Sequence, residues 1–88
     1  MTNLQLARAL VKKAEYILED LKYNEFTTYE KEDLFIRIHI IIGFNGAIMT
    51  LLTHESIEKR DETWKKINKC NNQIGEIVGE MWKMYETL

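Results

Sequence analysis

Proline is absent from this chain of 88 residues, so nothing in it forces a helix to kink or stop. A single cysteine, Cys70, excludes an internal disulfide and makes a reducing compartment the natural expectation. No catalytic or cofactor motif is present, and the expectation is a non-enzymatic protein without cofactor or metal. An excess of one charge is also missing. Twelve Lys and Arg are interspersed with fourteen Asp and Glu, for a net charge of −2. That balance argues against a dedicated nucleic-acid surface. A short recognition helix with a clustered basic face is lacking too, which weighs against a small helical transcriptional regulator. The opening residues, MTNLQLARALVKKAEY, hold no apolar core and no small-residue cleavage site. No signal peptide is therefore expected, and the location expected is cytoplasmic. Internal repeats, low-complexity segments and linkers are absent as well, and the length suits one domain, residues 1–88.

What the chain does have is one long apolar stretch, Leu34 to Leu52, LFIRIHIIIGFNGAIMTLL. At a period of 3.6 it gives one seam of Leu34, Ile38, Ile41, Asn45, Ile48 and Leu52. A second face carries Phe35, Ile42 and Met49, and Ile36, Ile40, Phe44, Ala47 and Leu51 fill between. A helix apolar nearly all round must be covered nearly all round. Arg37, His39 and Asn45 interrupt the run, so no membrane span is expected. A rival reading exists. Ile36, Ile38, Ile40 and Ile42 alternate as in a strand, and Asn45-Gly46 is a favoured hairpin dipeptide. The flanks decide for helix, because both read as long helices and two strands alone make a poor sheet.

Helix boundaries follow from capping chemistry. Thr2 with Gln5 has the spacing of a capping box, with Met1 and Leu6 placed as a hydrophobic staple. Ala7, Leu10, Val11, Ala14, Ile17, Leu18 and Leu21 then mark one apolar stripe. Thr27 with Glu30 repeats the capping box, and Asp33 and Arg37 are spaced to pair. Ser56 is a plausible N-cap for the third helix. Its seam reads Trp64, Ile67, Asn71, Ile74, Val78, Met81, Tyr85 and Leu88, a spacing typical of antiparallel bundles. Asp61 with Lys65 and Glu62 with Lys66 are favourable surface pairs. The fold predicted is all-α. It is an antiparallel up-down-up bundle with helices near 3–22, 28–53 and 56–87, the last one long. Three unequal helices leave part of the second uncovered, so a homodimer is expected to complete the bundle.

Several residues stand out against that frame. Asn45 and Asn71 fall on apolar seams, and with His39 they are expected as buried polar groups that fix register. Folding the chain about a turn near Glu55 sets Asn71 level with His39, so a hydrogen bond between them is expected. Gly43 with Ala47, and Gly75 with Gly79, have the small-residue spacing of close helix contacts, either inside one subunit, for instance Gly43 against Ala7, or across a dimer. His54 and Glu58 could ligate a metal, and Cys70 with His39 could form a nucleophilic pair, but no further ligand or orienting group accompanies either. Cys70 reads instead as a small buried hydrophobe, and Trp64 as core. Phe35, Ile42, Met49 and Trp82 have no obvious cover within one chain and are expected to contact a partner or a second copy.

Phe44-Asn45-Gly46-Ala47-Ile48, then Lys69-Cys70-Asn71-Asn72-Gln73-Ile74-Gly75-Glu76-Ile77, resembles part of the flagellin-export chaperone family. The likeness covers residues 44–77 and needs a short deletion between its two parts. It implies a cytoplasmic helical bundle that holds an unassembled flagellin tail, and it carries over no binding residue. The reading reached from the residues is a small helical protein that binds another protein as inhibitor, adaptor or chaperone. A phage- or plasmid-type inhibitor would look the same. Export chaperone and helical regulator are the alternatives.

Overall fold

The computed structural model describes residues 1–23, 30–55 and 62–88. Three α-helices make up the described fold: α1 (Asn3–Tyr23), α2 (Lys31–His54) and α3 (Glu62–Thr87). No strand occurs among the described residues, and Asn45-Gly46 lies inside α2 rather than in a hairpin turn.

The first helix starts as its sequence dictates. The backbone N–H of Thr2 donates to Gln5 Oε1 at 2.9 Å, and the N–H of Gln5 donates to Thr2 Oγ1 at 3.1 Å. Two otherwise orphaned donors are thus satisfied reciprocally. Met1 does not close a staple on Leu6, being 88% exposed. The α2 start differs from expectation. Glu30 is in extended backbone and is the N-cap residue, with no side-chain cap bond, so the helix opens at Lys31. Thr27, Ser56, Glu58 and Asp61 lie outside the described residues.

Ties between helix ends set the topology. Asn3 Nδ2 donates to Glu55 Oε1 at 3.0 Å, joining the start of α1 to the end of α2. Arg37, near the start of α2, pairs with Asp20, near the end of α1, at 3.4 Å. Lys22 and Glu80, both late in their helices, meet at 2.7 Å. Helix α2 therefore runs antiparallel to α1, and α3 runs parallel to α1. This is the up-down-up bundle. It is elongated, 47 × 19 × 15 Å.

The core has three seams. From α1 come Ala7, Val11, Ala14, Leu18 and Leu21, from α2 Leu34, Ile38, Ile41, Ile48 and Leu52, and from α3 Ile67, Cys70, Ile74, Ile77 and Met81. Full burial of each large aliphatic side chain contributes about 1.5–3 kcal/mol. The α3 seam is rotated from the one expected. It includes Cys70 and Ile77, whereas Trp64, Val78 and Tyr85 pack only partly against the core and Leu88 is exposed. The reason is that α3, not α2, is the helix that packs along both others. Its buried stripe points between α1 and α2, whereas the expected seam was drawn from spacing within α3 alone.

Candidate protein-binding surface

Helix α2 has apolar side chains on nearly every side, yet only one stripe of it is covered. Phe35, Ile36, Ile40, Ile42 and Met49 remain between 39% and 51% exposed. This follows from the packing just described. With α3 as the shared helix, α1 and α2 lean on it from two sides and touch each other less. A cleft of about 450 Å³ stays open between them, lined by Leu6, Ala9, Leu10, Lys13, Ala47 and Leu51.

Phe35 and Trp82 are brought together at the start of α2 and the end of α3. Their ring centroids lie 6.2 Å apart, edge to face. Tyr85 stands 5.3 Å from Trp82 and 6.1 Å from Phe35. Lys31 Nζ sits 4.7 Å over the Tyr85 ring. Such ring pairs contribute about 0.5–1.5 kcal/mol beyond the area they bury. The group is anchored inside the chain while its outer edges stay open to solvent. Ile42 and Met49 continue the same edge of α2, one and two heptads beyond Phe35. Phe35, Ile42, Met49 and Trp82 thus form one ridge along the α2–α3 border.

His39 is not buried. It is exposed within the aromatic group, 4.1 Å from the Phe35 ring and 6.0 Å from Trp82. Its Nδ1–H donates to the Phe35 carbonyl oxygen at 2.9 Å. It does not meet Asn71, whose Nδ2 donates to Met49 Sδ at 3.5 Å. The pairs Phe35–Tyr85 and Met49–Asn71 both centre the α2–α3 hairpin on position 60, not on 55. Asn71 is therefore level with Met49, ten residues or nearly three turns along α2 from His39. Asn45 and Asn71 are only partly buried as residues, but the Oδ1 atom of each is fully buried and has no hydrogen-bond partner.

The glycines do not mark close packing within the chain. A Cβ added at Gly43, Gly46, Gly75 or Gly79 meets nothing within 4 Å. Gly43 therefore does not pack against Ala7. Trp64 is half-buried at the edge of the core rather than within it.

No group of His, Cys, Asp and Glu side chains is placed to hold a metal among the described residues. Cys70 and His39 belong to different surfaces. Cys70 lines a cleft between α1 and α3 with Arg8, Lys12, Glu15, Lys66 and Lys69. Burial pushes its thiol above the ordinary value, and the nearby Arg8 only partly opposes this. A neutral thiol is a packing group, not a nucleophile.

Sequence reasoning found the ridge because heptad spacing placed Phe35, Ile42 and Met49 together. It passed over Ile36 and Ile40, which looked like filler in a helix presumed covered. By length and composition α2 is also apolar enough to cross a membrane. Its most apolar 18-residue window has a mean hydropathy of 1.7 and is 22% buried. Comparison with protein-family models, with curated proteins and with solved structures finds no match to this chain.

Proposed function

We propose that this protein acts by binding another protein, as an inhibitor, adaptor or chaperone, through the ridge of Phe35, Ile42, Met49 and Trp82. The observation that carries this reading is the exposure of large apolar side chains on α2, next to an aromatic group whose rings pack edge to face on one another. Contiguous exposed apolar surface of this kind marks interaction sites. Rigid aromatic anchors lose little side-chain freedom on binding, which is why they dominate interface energetics. The resemblance of residues 44–77 to flagellin-export chaperones fits a chaperone form of the same activity. The test is affinity capture from a lysate of the native cells, with tagged wild type and Met49→Glu side by side. A protein retained in stoichiometric amount by wild type and lost from a normally folded Met49→Glu supports the reading. An identical set of proteins on both baits contradicts it.

A second reading, a small helical regulator that contacts nucleic acid, draws support from one observation. Arg8, Lys12, Lys66 and Lys69 converge on the cleft between α1 and α3, with Glu15 the one carboxylate lining it among the described residues. Salt-dependent binding to duplex DNA, weakened by Lys66→Glu, would favour it over the first reading.

A further inference from the structure

The side of α2 opposite its buried stripe carries Ile36, Ile40, Gly43, Ala47 and Thr50, with Glu32 at one end and His54 at the other. All seven are exposed. Their spacing alternates threes and fours apart from one extra four at the start, so they form one continuous line along the helix. Thr50 Oγ1 donates to the Gly46 carbonyl oxygen of its own helix at 3.2 Å, which leaves its methyl group to face outward without an unmet hydrogen bond. This line lies away from the Phe35–Met49 ridge and beside the open α1–α2 cleft.

The order of residues along the line is self-complementary. Gly43 stands midway between Glu32 and His54. On its N-terminal side the line is acid and then bulky; on its C-terminal side it is small and then base. Read backwards, each class meets its complement. Glu32 faces His54, Ile36 faces Thr50, Gly43 faces itself, and Ile40 falls one residue out of register with Ala47. We propose that this face of α2 pairs antiparallel with the same face of a second copy, about a two-fold axis at Gly43. The proposal rests on the reading of α2 as an interaction helix and assigns self-association to a face other than the partner ridge.

Three observations support a second copy as the occupant. The polar ends complement each other only in the antiparallel sense, where the Glu32 carboxylate can accept from a ring N–H of His54, because a parallel pair would set Glu32 against Glu32 and His54 against His54. Sterically, Gly43 has open space around its Cβ position, so two backbones can approach there without disturbing either chain. The area sets an upper bound. The line is about 33 Å long at 1.5 Å per residue, and the whole molecule is 19 Å across. If the full α1–α2 layer took part, at most roughly 600 Å² per copy and about 1,200 Å² in all would be buried, which reaches the lower bound of a specific stable interface. The paired α1–α2 layers would then form a four-helix arrangement that closes both clefts.

The experiment is sedimentation equilibrium of wild type and Gly43→Leu, with disulfide trapping as the second measurement. Leucine at position 43 adds apolar surface and helix propensity, and its Cβ meets nothing within 4 Å in its own chain. Wild type should be dimeric at micromolar concentration, and Gly43→Leu should dissociate at least about tenfold more readily with unchanged helicity. Met49→Glu should leave the dimer intact, so loss of the partner ridge and loss of self-association are separable. On a Cys70→Ala background, mixing Glu32→Cys chains with His54→Cys chains should yield the mixed disulfide. A homodisulfide of Glu32→Cys in preference to the mixed one overturns the antiparallel arrangement. Equal or stronger association of Gly43→Leu shows nonspecific apolar contact and overturns the proposal. A wild type that is monomeric, and that floats with phosphatidylcholine–phosphatidylglycerol vesicles, overturns it in favour of a membrane surface. A monomer that ignores vesicles overturns it outright.

Discussion

Replacing Asn45 by leucine should stabilise this protein. Asn45 sits on the covered seam of α2 with Ile41, Ile48 and Leu52, and its Oδ1 is fully buried without a partner. A buried acceptor left unsatisfied costs about 1–3 kcal/mol of desolvation. Leucine keeps the branch at Cγ and replaces the amide by methyl groups. It also adds roughly 0.5 kcal/mol of helix propensity. Because Asn45 is only partly buried, the added bulk has room to relax outward. The net expectation is a gain of about 2 kcal/mol. For a domain of this size that is a rise in Tm of roughly 8–16 °C. Thermal and urea unfolding, followed by circular dichroism at one fixed protein concentration, read this directly. Asn72→Leu is the control, since Asn72 is exposed on α3 and should show the propensity gain alone. A loss of stability in Asn45→Leu would refute the reasoning. It would mean that the carbonyl has a partner in the folded protein, such as an ordered water.

Other outcomes follow from the same packing. Ile38→Ala removes a fully buried side chain and should cost about 2–5 kcal/mol, seen as a large drop in urea midpoint, whereas Trp64→Ala, at the core edge, should cost less than a fully buried aromatic. Gly75→Ala and Gly79→Ala should each raise stability by about 0.5–1 kcal/mol, because the new Cβ meets nothing and the helix gains propensity; a fall in Tm would reveal a close contact at that site. Cys70 should react slowly with iodoacetamide until the protein is unfolded. Burial raises its folded pKa, so the folded state disfavours the thiolate. The stability it contributes is present below the ordinary thiol value and is lost as pH rises through it. As pH rises from the ordinary thiol value through the raised folded value, the Tm should therefore fall more steeply in wild type than in Cys70→Ala.

The parts of the fold that were legible in the sequence are those governed by near neighbours along the chain. The Thr2–Gln5 capping box forms as its spacing says, and the α1 stripe from Ala7 to Leu21 faces the core as its period says, with Leu10 and Ile17 only partly buried at its edge. What could not be read was decided by helices far apart in sequence. The α3 seam was drawn from heptad spacing alone, and packing against α1 and α2 together rotated it to take in Cys70 and Ile77. The His39–Asn71 pairing failed because register in a helical hairpin depends on the length of the connection, which periodicity does not report. His39 lies outside the core for a related reason: a helix apolar on all sides does not reveal which side its neighbours will cover. The same ambiguity hid Ile36 and Ile40. An apolar side chain in a long isoleucine-rich run looks like core until the packing shows otherwise.

The central claim is that the exposed apolar side chains of α2 serve binding and not the folding of the single chain. Replacing Ile36, Ile40, Ile42 and Met49 together by glutamine tests it most directly. Straight-chain glutamine keeps helix propensity near that of the residues removed. Circular dichroism melts would be recorded over a range of protein concentrations for wild type and variant. The account predicts a folded helical variant whose Tm does not depend on concentration, beside a wild type whose Tm rises with concentration as association stabilises it. A variant that fails to fold at any concentration would contradict the account, because those side chains would then belong to the core of the monomer.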